Sequence, residues 1–172
     1  AALDLNDPGS SWHSTRDTIA EFSAWMTLVN GSIAKMGADV IAMTQSGIDE
    51  VTLSDSGTSS TMPQKSNPIL PSLLVALADQ TTALNSTIQG ALIHRQQREG
   101  AAWINEWIAL PQICMATARA LGGAHELACG LHPNVDRMAD AIDATRGLIF
   151  AEALSFSLSA HMPRPKAQAA TK

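Results

Sequence analysis

Between residues 19 and 43 the large apolar side chains fall at Ile19, Phe22, Met26, Val29, Ile33, Met36, Val40 and Met43, separated by 3, 4, 3, 4, 3, 4 and 3 positions. No other feature restricts the fold as much. Alternating steps of three and four keep one face of an α-helix apolar, whereas a half-buried strand needs steps of two. An unbroken heptad of this length is the spacing of a long helix packed nearly parallel to others. A helix from about Thr15 to Thr44 would run roughly 45 Å at 1.5 Å per residue. Ser14, with Asp17 three residues on, has the form of a capping box ahead of it. Gly31 and Gly37 sit off the stripe, where a neighbour can approach.

Helical spacing recurs twice. After Asn67-Pro68, which reads as an N-cap followed by proline at the first helical position, Leu70, Leu73, Leu77, Leu84, Ile88 and Ala91 share a face. A third heptad runs through Trp103, Trp107, Leu110, Cys114, Thr117 and Leu121, with a kink or break expected at Pro111. His94, Arg95, Arg98 and Glu99 between them read as a solvated helix face. Shorter helices are predicted over Val135–Ala144 and Leu148–Ala160, followed by an irregular tail at His161–Pro165. No segment alternates with period two for long, so the predicted fold class is all-α. The organisation expected is part of a central helical bundle over 1–130 and a small helical region over 131–172.

Composition narrows the function. Of 172 residues 45% are apolar and 16% charged, enough apolar material for a sizeable core. A low charge for this size suggests faces that meet other chains. A net charge of −5 gives no basic footprint, so neither nucleic acid nor an anionic membrane surface is an expected partner. The densest apolar run, Ile69 to Ala78, is too short to span a bilayer and contains Pro71 and Ser72. With no secretory signal and only Cys114 and Cys129, the expected compartment is the cytoplasm. The Cys and His residues lack metal-ligand spacing, and His125-Glu126 lacks the second histidine of H-E-x-x-H, so no metal is expected.

From Asp49 to Asn67 the periodicity stops in a stretch rich in Ser, Thr and Gly that reads as a loop. Loops of this length inside compact domains are generally functional or disordered. Residues 57–68 read GTSSTMPQKSNP. Small residues let the backbone turn and present N–H groups, Lys65 is the one fixed positive charge, and Asn67 supplies an amide. The helix that follows turns its positive end back toward them. Such a place stabilises an anion or a developing oxyanion, and a serine there can transfer a proton. The second glycine of a P-loop and the strand of a nucleophile elbow are both missing. A flexible Ser/Thr linker ahead of a well-capped helix fits the same composition.

GTSSTMPQKSNP resembles the signature loop of the fumarase/aspartase superfamily, G-S-S-x-M-P-x-K-x-N-P. The likeness extends to Trp12–Asp17, to Trp103–Trp107 with Leu110-Pro111, to Gly147–Ala153 and to His161–Pro165. It implies a bundle of long helices, a homotetramer with active sites shared between chains, and no cofactor. Carried over by residue, Ser59 matches the proton-transferring serine, and Lys65 and Asn67 match contacts to the substrate carboxylate. Ser60, Thr61 and Met62 of the same loop, and Arg16 outside it, complete the candidate substrate-binding set. Many members carry a glutamate five residues after the motif asparagine, and here that position is Ser72. This points to the cycloisomerase branch, which closes a lactone on a small tricarboxylate. The resemblance further implies a C-terminal portion, because two other signature regions, one with a catalytic histidine, precede this loop in the superfamily. Another superfamily lyase, adenylosuccinate lyase first, and a non-catalytic helical assembly fragment are the competing expectations.

Outside the loop, Arg16 reads equally as a carboxylate clamp and as a surface charge beside a capping box. His13 reads more readily as a partly buried histidine than as a general base. Trp103 and Trp107, one turn apart, read as packing, and Glu106 between them carries no assigned role.

Overall fold

The computed structural model describes residues 6–54, 57–58 and 66–171. Long helices dominate: α1 (Asp17–Met43), α2 (Ile69–Gly90) and α3 (Gly100–Gly130), then α4 (Val135–Ala144), one 3-10 turn (Leu148–Phe150), α5 (Ala151–Ser159) and α6 (Arg164–Ala170). Within 49–67, expected to be loop throughout, lie three short strands: β1 (Val51–Leu53), β2 (Gly57–Thr58) and β3 (Ser66–Asn67). A fourth, β4, spans Leu131–Pro133. The fold is all-α, a bundle of long helices followed by smaller C-terminal ones.

Two compact units divide the chain, 1–42 with 53–131, and 43–52 with 132–172. In the first, Ala20, Met26, Ile88, Ala109 and Ile113 form the core, with Ile19, Leu84, Leu92 and Leu110 packed against it. The heptads are real, and Met26, Val40, Ile88, Ala91 and Thr117 on them are buried, but at most other positions the buried residue is the neighbour of the expected one. On α3 the buried positions are Ala102, Glu106, Ala109, Ile113, Ala116, Thr117, Ala120, Gly123 and Leu127, which apart from Thr117 lie beside the expected Trp103–Leu121 stripe. On α2 they are Pro71, Leu74, Ala78, Thr81 and Ile88, and on α1 Ala20, Ser23, Met26, Asn30, Gly37 and Val40. These are largely small residues, which let helices approach, while Phe22, Trp25, Leu28, Trp107, Met115 and Leu121 remain exposed. Gly37 shows the closeness: a Cβ there would lie 2.8 Å from the Pro71 carbonyl oxygen. Gly31, by contrast, faces open space.

Polar side chains inside the seam fix the register. Ser23 Oγ donates to Asn85 Oδ1 at 2.8 Å, and Gln89 donates to the Ala20 carbonyl at 3.1 Å. Asn30, fully buried, donates to Thr117 Oγ1 at 2.7 Å and to the Met26 carbonyl at 2.8 Å. The Ser23 and Asn30 bonds satisfy donors whose burial alone would be costly, while Gln89 reaches in from an exposed position.

Several local expectations are corrected. α1 begins at Asp17, with the Ile19 and Ala20 N–H groups bonding the Arg16 carbonyl, so Ser14 is not its cap. Pro68 rather than Asn67 precedes the first turn of α2, with no side-chain cap bond. α3 runs unbroken through Pro111, because tertiary packing along the whole seam outweighs the one hydrogen bond a proline removes. Residues 94–99 are a connection between α2 and α3, not a helix face, and Arg98 adopts φ +59°. Arg164 and Pro165 open α6, since proline is tolerated in a first turn.

In the second unit, the Asn134 side chain caps α4 by accepting from the Arg137 N–H at 3.3 Å. Arg137 Nη2 donates to the Gly47 carbonyl at 2.7 Å, and the Asn134 N–H to the Glu50 carbonyl at 2.8 Å. The Arg164 guanidinium sits 5.6 Å from the Phe156 ring centroid.

Candidate active site

The signature segment is framed by its own backbone. β2 and β3 pair antiparallel, Gly57 opposite Asn67 and Thr58 opposite Ser66, and so join the two ends of the motif immediately before α2. Ser59, Ser60, Thr61, Met62 and Lys65, the larger part of the sequence-derived site, lie outside the described residues. Asn67 is half-buried at the foot of α2. Ser72, which stands where many superfamily members have glutamate, is exposed and donates its hydroxyl to the Pro68 carbonyl at 2.7 Å, while its own N–H bonds the same oxygen at 3.1 Å. By helix geometry the Ile69 and Leu70 N–H groups have no intrahelical acceptor, and Pro71 has no N–H. The start of α2 therefore offers donors and a positive dipole end next to Asn67, which suits an anionic group.

Beside this foot lies a cleft of about 500 Å³ lined by Leu53, Ser54, Leu70, His125, Glu126, Leu127, Cys129 and Gly130. Cys129 and Cys114 are free thiols. Among the described residues, no group of three or more His, Cys, Asp or Glu could hold a metal ion. No helix among them is long and apolar enough to cross a membrane.

Arg16 is elsewhere. Its Nε donates to both Glu106 carboxylate oxygens at 2.9 and 3.1 Å, Nη2 to Oε2 at 2.5 Å, and Nη1 to the Trp12 carbonyl at 3.0 Å. The Glu106 side chain is 4% exposed and that of Arg16 19%. The Glu106 carboxylate raises the Arg16 pKa, chiefly by accepting its hydrogen bonds, and partial burial opposes this. His13 packs on Trp103 with ring centroids 6.0 Å apart, and Trp103 on Trp107 at 5.8 Å. The Arg16 pairing is bidentate and partly buried, with its acceptor almost fully buried. Sequence reasoning missed Glu106, although an acidic residue four after Ala102 and three before Ala109 on a small-residue seam is a visible signal.

This cluster and Asn67 stand at opposite ends of α2. Arg16 and Glu106 stand where α1 and α3 begin and near the end of α2, since Gln89 bonds Ala20. Asn67 stands where α2 begins, and Leu70 in its first turn faces Gly123 late in α3. α2, with 22 residues, separates the two ends by about 33 Å at 1.5 Å per residue.

Comparison with known proteins follows this geometry. A family model described as Lyase matches residues 6–82. The 3-carboxy-cis,cis-muconate cycloisomerase of Acinetobacter baylyi is 36% identical over 165 residues, 94% of this chain and 37% of that protein. The chain belongs to the fumarase/aspartase superfamily. Among solved structures, the 3-carboxy-cis,cis-muconate lactonizing enzyme of Pseudomonas putida superposes with a TM-score of 0.83 at 34% identity, covering 98% of this chain and 37% of that one. A fumarate lyase from Mesorhizobium sp. BNC1 gives a TM-score of 0.84 at 31% identity, with the same coverage of both chains. The chain thus spans a little over a third of the length of these superfamily relatives.

Proposed function

We propose that the protein is a cytoplasmic cycloisomerase that closes 3-carboxy-cis,cis-muconate to 4-carboxymuconolactone. The observation that carries this reading is the likeness of almost the whole chain to the Acinetobacter baylyi cycloisomerase and the Pseudomonas putida lactonizing enzyme, at 36% and 34% identity. In this reaction one carboxylate oxygen adds across a conjugated double bond and forms the lactone C–O bond. The displaced electron pair moves into another carboxylate as an enediolate, and the carbon beside it takes a proton. Lys65, Asn67 and the N–H groups of Ser60, Thr61 and Met62 would hold the developing charge, each donor contributing a few kcal/mol. Ser59 would deliver the proton and regain it from solvent. Closure of the segment over the substrate would exclude water.

The same geometry supports assembly from several copies, with a tetramer as the expected state. In one chain Arg16 and Asn67 stand near opposite ends of α2, a helix about 33 Å long. A tricarboxylate that meets both must lie between chains. Exposed Phe22, Trp25 and Leu28 on α1 and Trp107, Met115 and Leu121 on α3 supply apolar faces for such contacts.

The second reading, an elimination lyase, is favoured by the fold match to the Mesorhizobium fumarate lyase. A single assay separates the two. The native protein and its Ser59→Ala variant are followed by the ultraviolet absorbance of 3-carboxy-cis,cis-muconate, whose conjugated diene is lost on lactonisation. Fast decay in the native protein, with a loss of about a hundredfold or more in the variant, supports both reaction and residue. Absence of decay in either defeats the cycloisomerase reading and leaves the lyase. Equal decay in both refutes the role of Ser59.

A further inference from the structure

We infer that Glu106 is a positioning residue for the tricarboxylate site, holding Arg16 so that its two remaining N–H bonds meet a substrate carboxylate end-on. This rests on the cycloisomerase reading above. A guanidinium has five donors. Glu106 takes the Nε–H and one Nη2–H along one side, and the Trp12 carbonyl takes one Nη1–H. One N–H on each Nη is left for a further acceptor. The Glu106 side chain is almost sealed, at 4% exposure, while the Arg16 side chain keeps 19%.

The location is costly for a carboxylate. Glu106 shares its seam with Ala102, Ala109 and Ile113, all buried. Well-packed apolar replacements of such a pair are often as stable as the pair itself, so its gain in folding energy is a weak reason for it. What the pair supplies is direction. Glu106 and the Trp12 carbonyl both bond the guanidinium, and the tilted ring contact of His13 with Trp103 ties residues 12–16 to the start of α3. A fork held in this way loses little rotamer freedom when a carboxylate arrives. Because Glu106 offsets much of its charge, Arg16 recognises the carboxylate by oriented hydrogen bonds more than by a long-range field.

The test is steady-state decay of 3-carboxy-cis,cis-muconate by the native protein and by Glu106→Gln, Glu106→Asp, Arg16→Gln and the Arg16→Gln/Glu106→Gln double variant. Loss of substrate positioning predicts a KM about tenfold higher in Glu106→Gln with kcat within about twofold, partial rescue in Glu106→Asp, and a double variant no worse than Arg16→Gln. Glu106→Asp keeps the charge, so it carries the test if Glu106→Gln fails to fold. An unchanged KM in the Glu106 variants, or losses that multiply in the double variant, would overturn the inference. Normal kinetics in Arg16→Gln would overturn it too while leaving the cycloisomerase reading intact. Failure of the native protein to turn over this substrate defeats that reading, and this inference with it.

Discussion

Two glycines on the same helix should respond to alanine with opposite sign. At Gly37 the new Cβ would stand 2.8 Å from the Pro71 carbonyl oxygen and 3.4 Å from Leu74 Cβ. The second distance is ordinary contact; the first is not. A backbone carbonyl within α2 cannot rotate away, so the two helices must part by roughly half an ångström along a close-packed seam. Overpacking of this kind costs about 1–3 kcal/mol, and a rigid obstacle argues for the upper half of that range. Against it stands the helix preference of alanine over glycine, about 1 kcal/mol. The net expectation for Gly37→Ala is a loss of about 1–2 kcal/mol. Gly31 meets nothing within 4 Å, so Gly31→Ala keeps only the favourable part, a gain of about 0.5–1 kcal/mol. Urea unfolding followed by far-ultraviolet circular dichroism reads both, and for a chain of this size each kcal/mol corresponds to about 2–4 °C in Tm. If Gly37→Ala is as stable as the wild type, then α1 and α2 do not pack through this contact.

Two smaller effects follow from charge and capping. The Arg16 pKa is raised by Glu106, so its contribution to stability is fully present below the unfolded guanidinium value and is lost only as pH climbs through the higher folded value. The stability difference between wild type and Arg16→Gln should therefore stay constant from about pH 7 to 10; a difference that fades in that range would contradict the pairing. Asn134→Ala removes the side-chain cap of α4 and should cost about 1 kcal/mol, with Asn134→Asp close to wild type in the same urea titration.

The sequence shows α1, α2 and α3 clearly and their buried faces only approximately, and the reason lies in which residues a periodicity weighs. Phe22, Trp107 and Leu121 dominate the apolar pattern because they are large, yet all three are exposed. Their neighbours in the seam, Ser23, Ala102, Ala109, Ala120 and Gly123, carry little hydrophobicity of their own. They are buried because their small size lets helix backbones approach. A heptad drawn through the bulky residues lands one position away, which turns the helix by about 100°. Glu106 receives no role for the same cause: the stripe runs through Trp103 and Trp107 and passes over the small-residue seam that carries Glu106, the buried partner of Arg16. The loop was legible in a different way. Its residue types and order, not its periodicity, mark the signature, and pairing of Gly57 with Asn67 depends on backbone bonds that composition does not encode. A bundle that packs its small residues inward and leaves tryptophan, phenylalanine and leucine outward has apolar surface still to cover. That, together with Arg16 and Asn67 near opposite ends of α2, is why the proposed site belongs between chains.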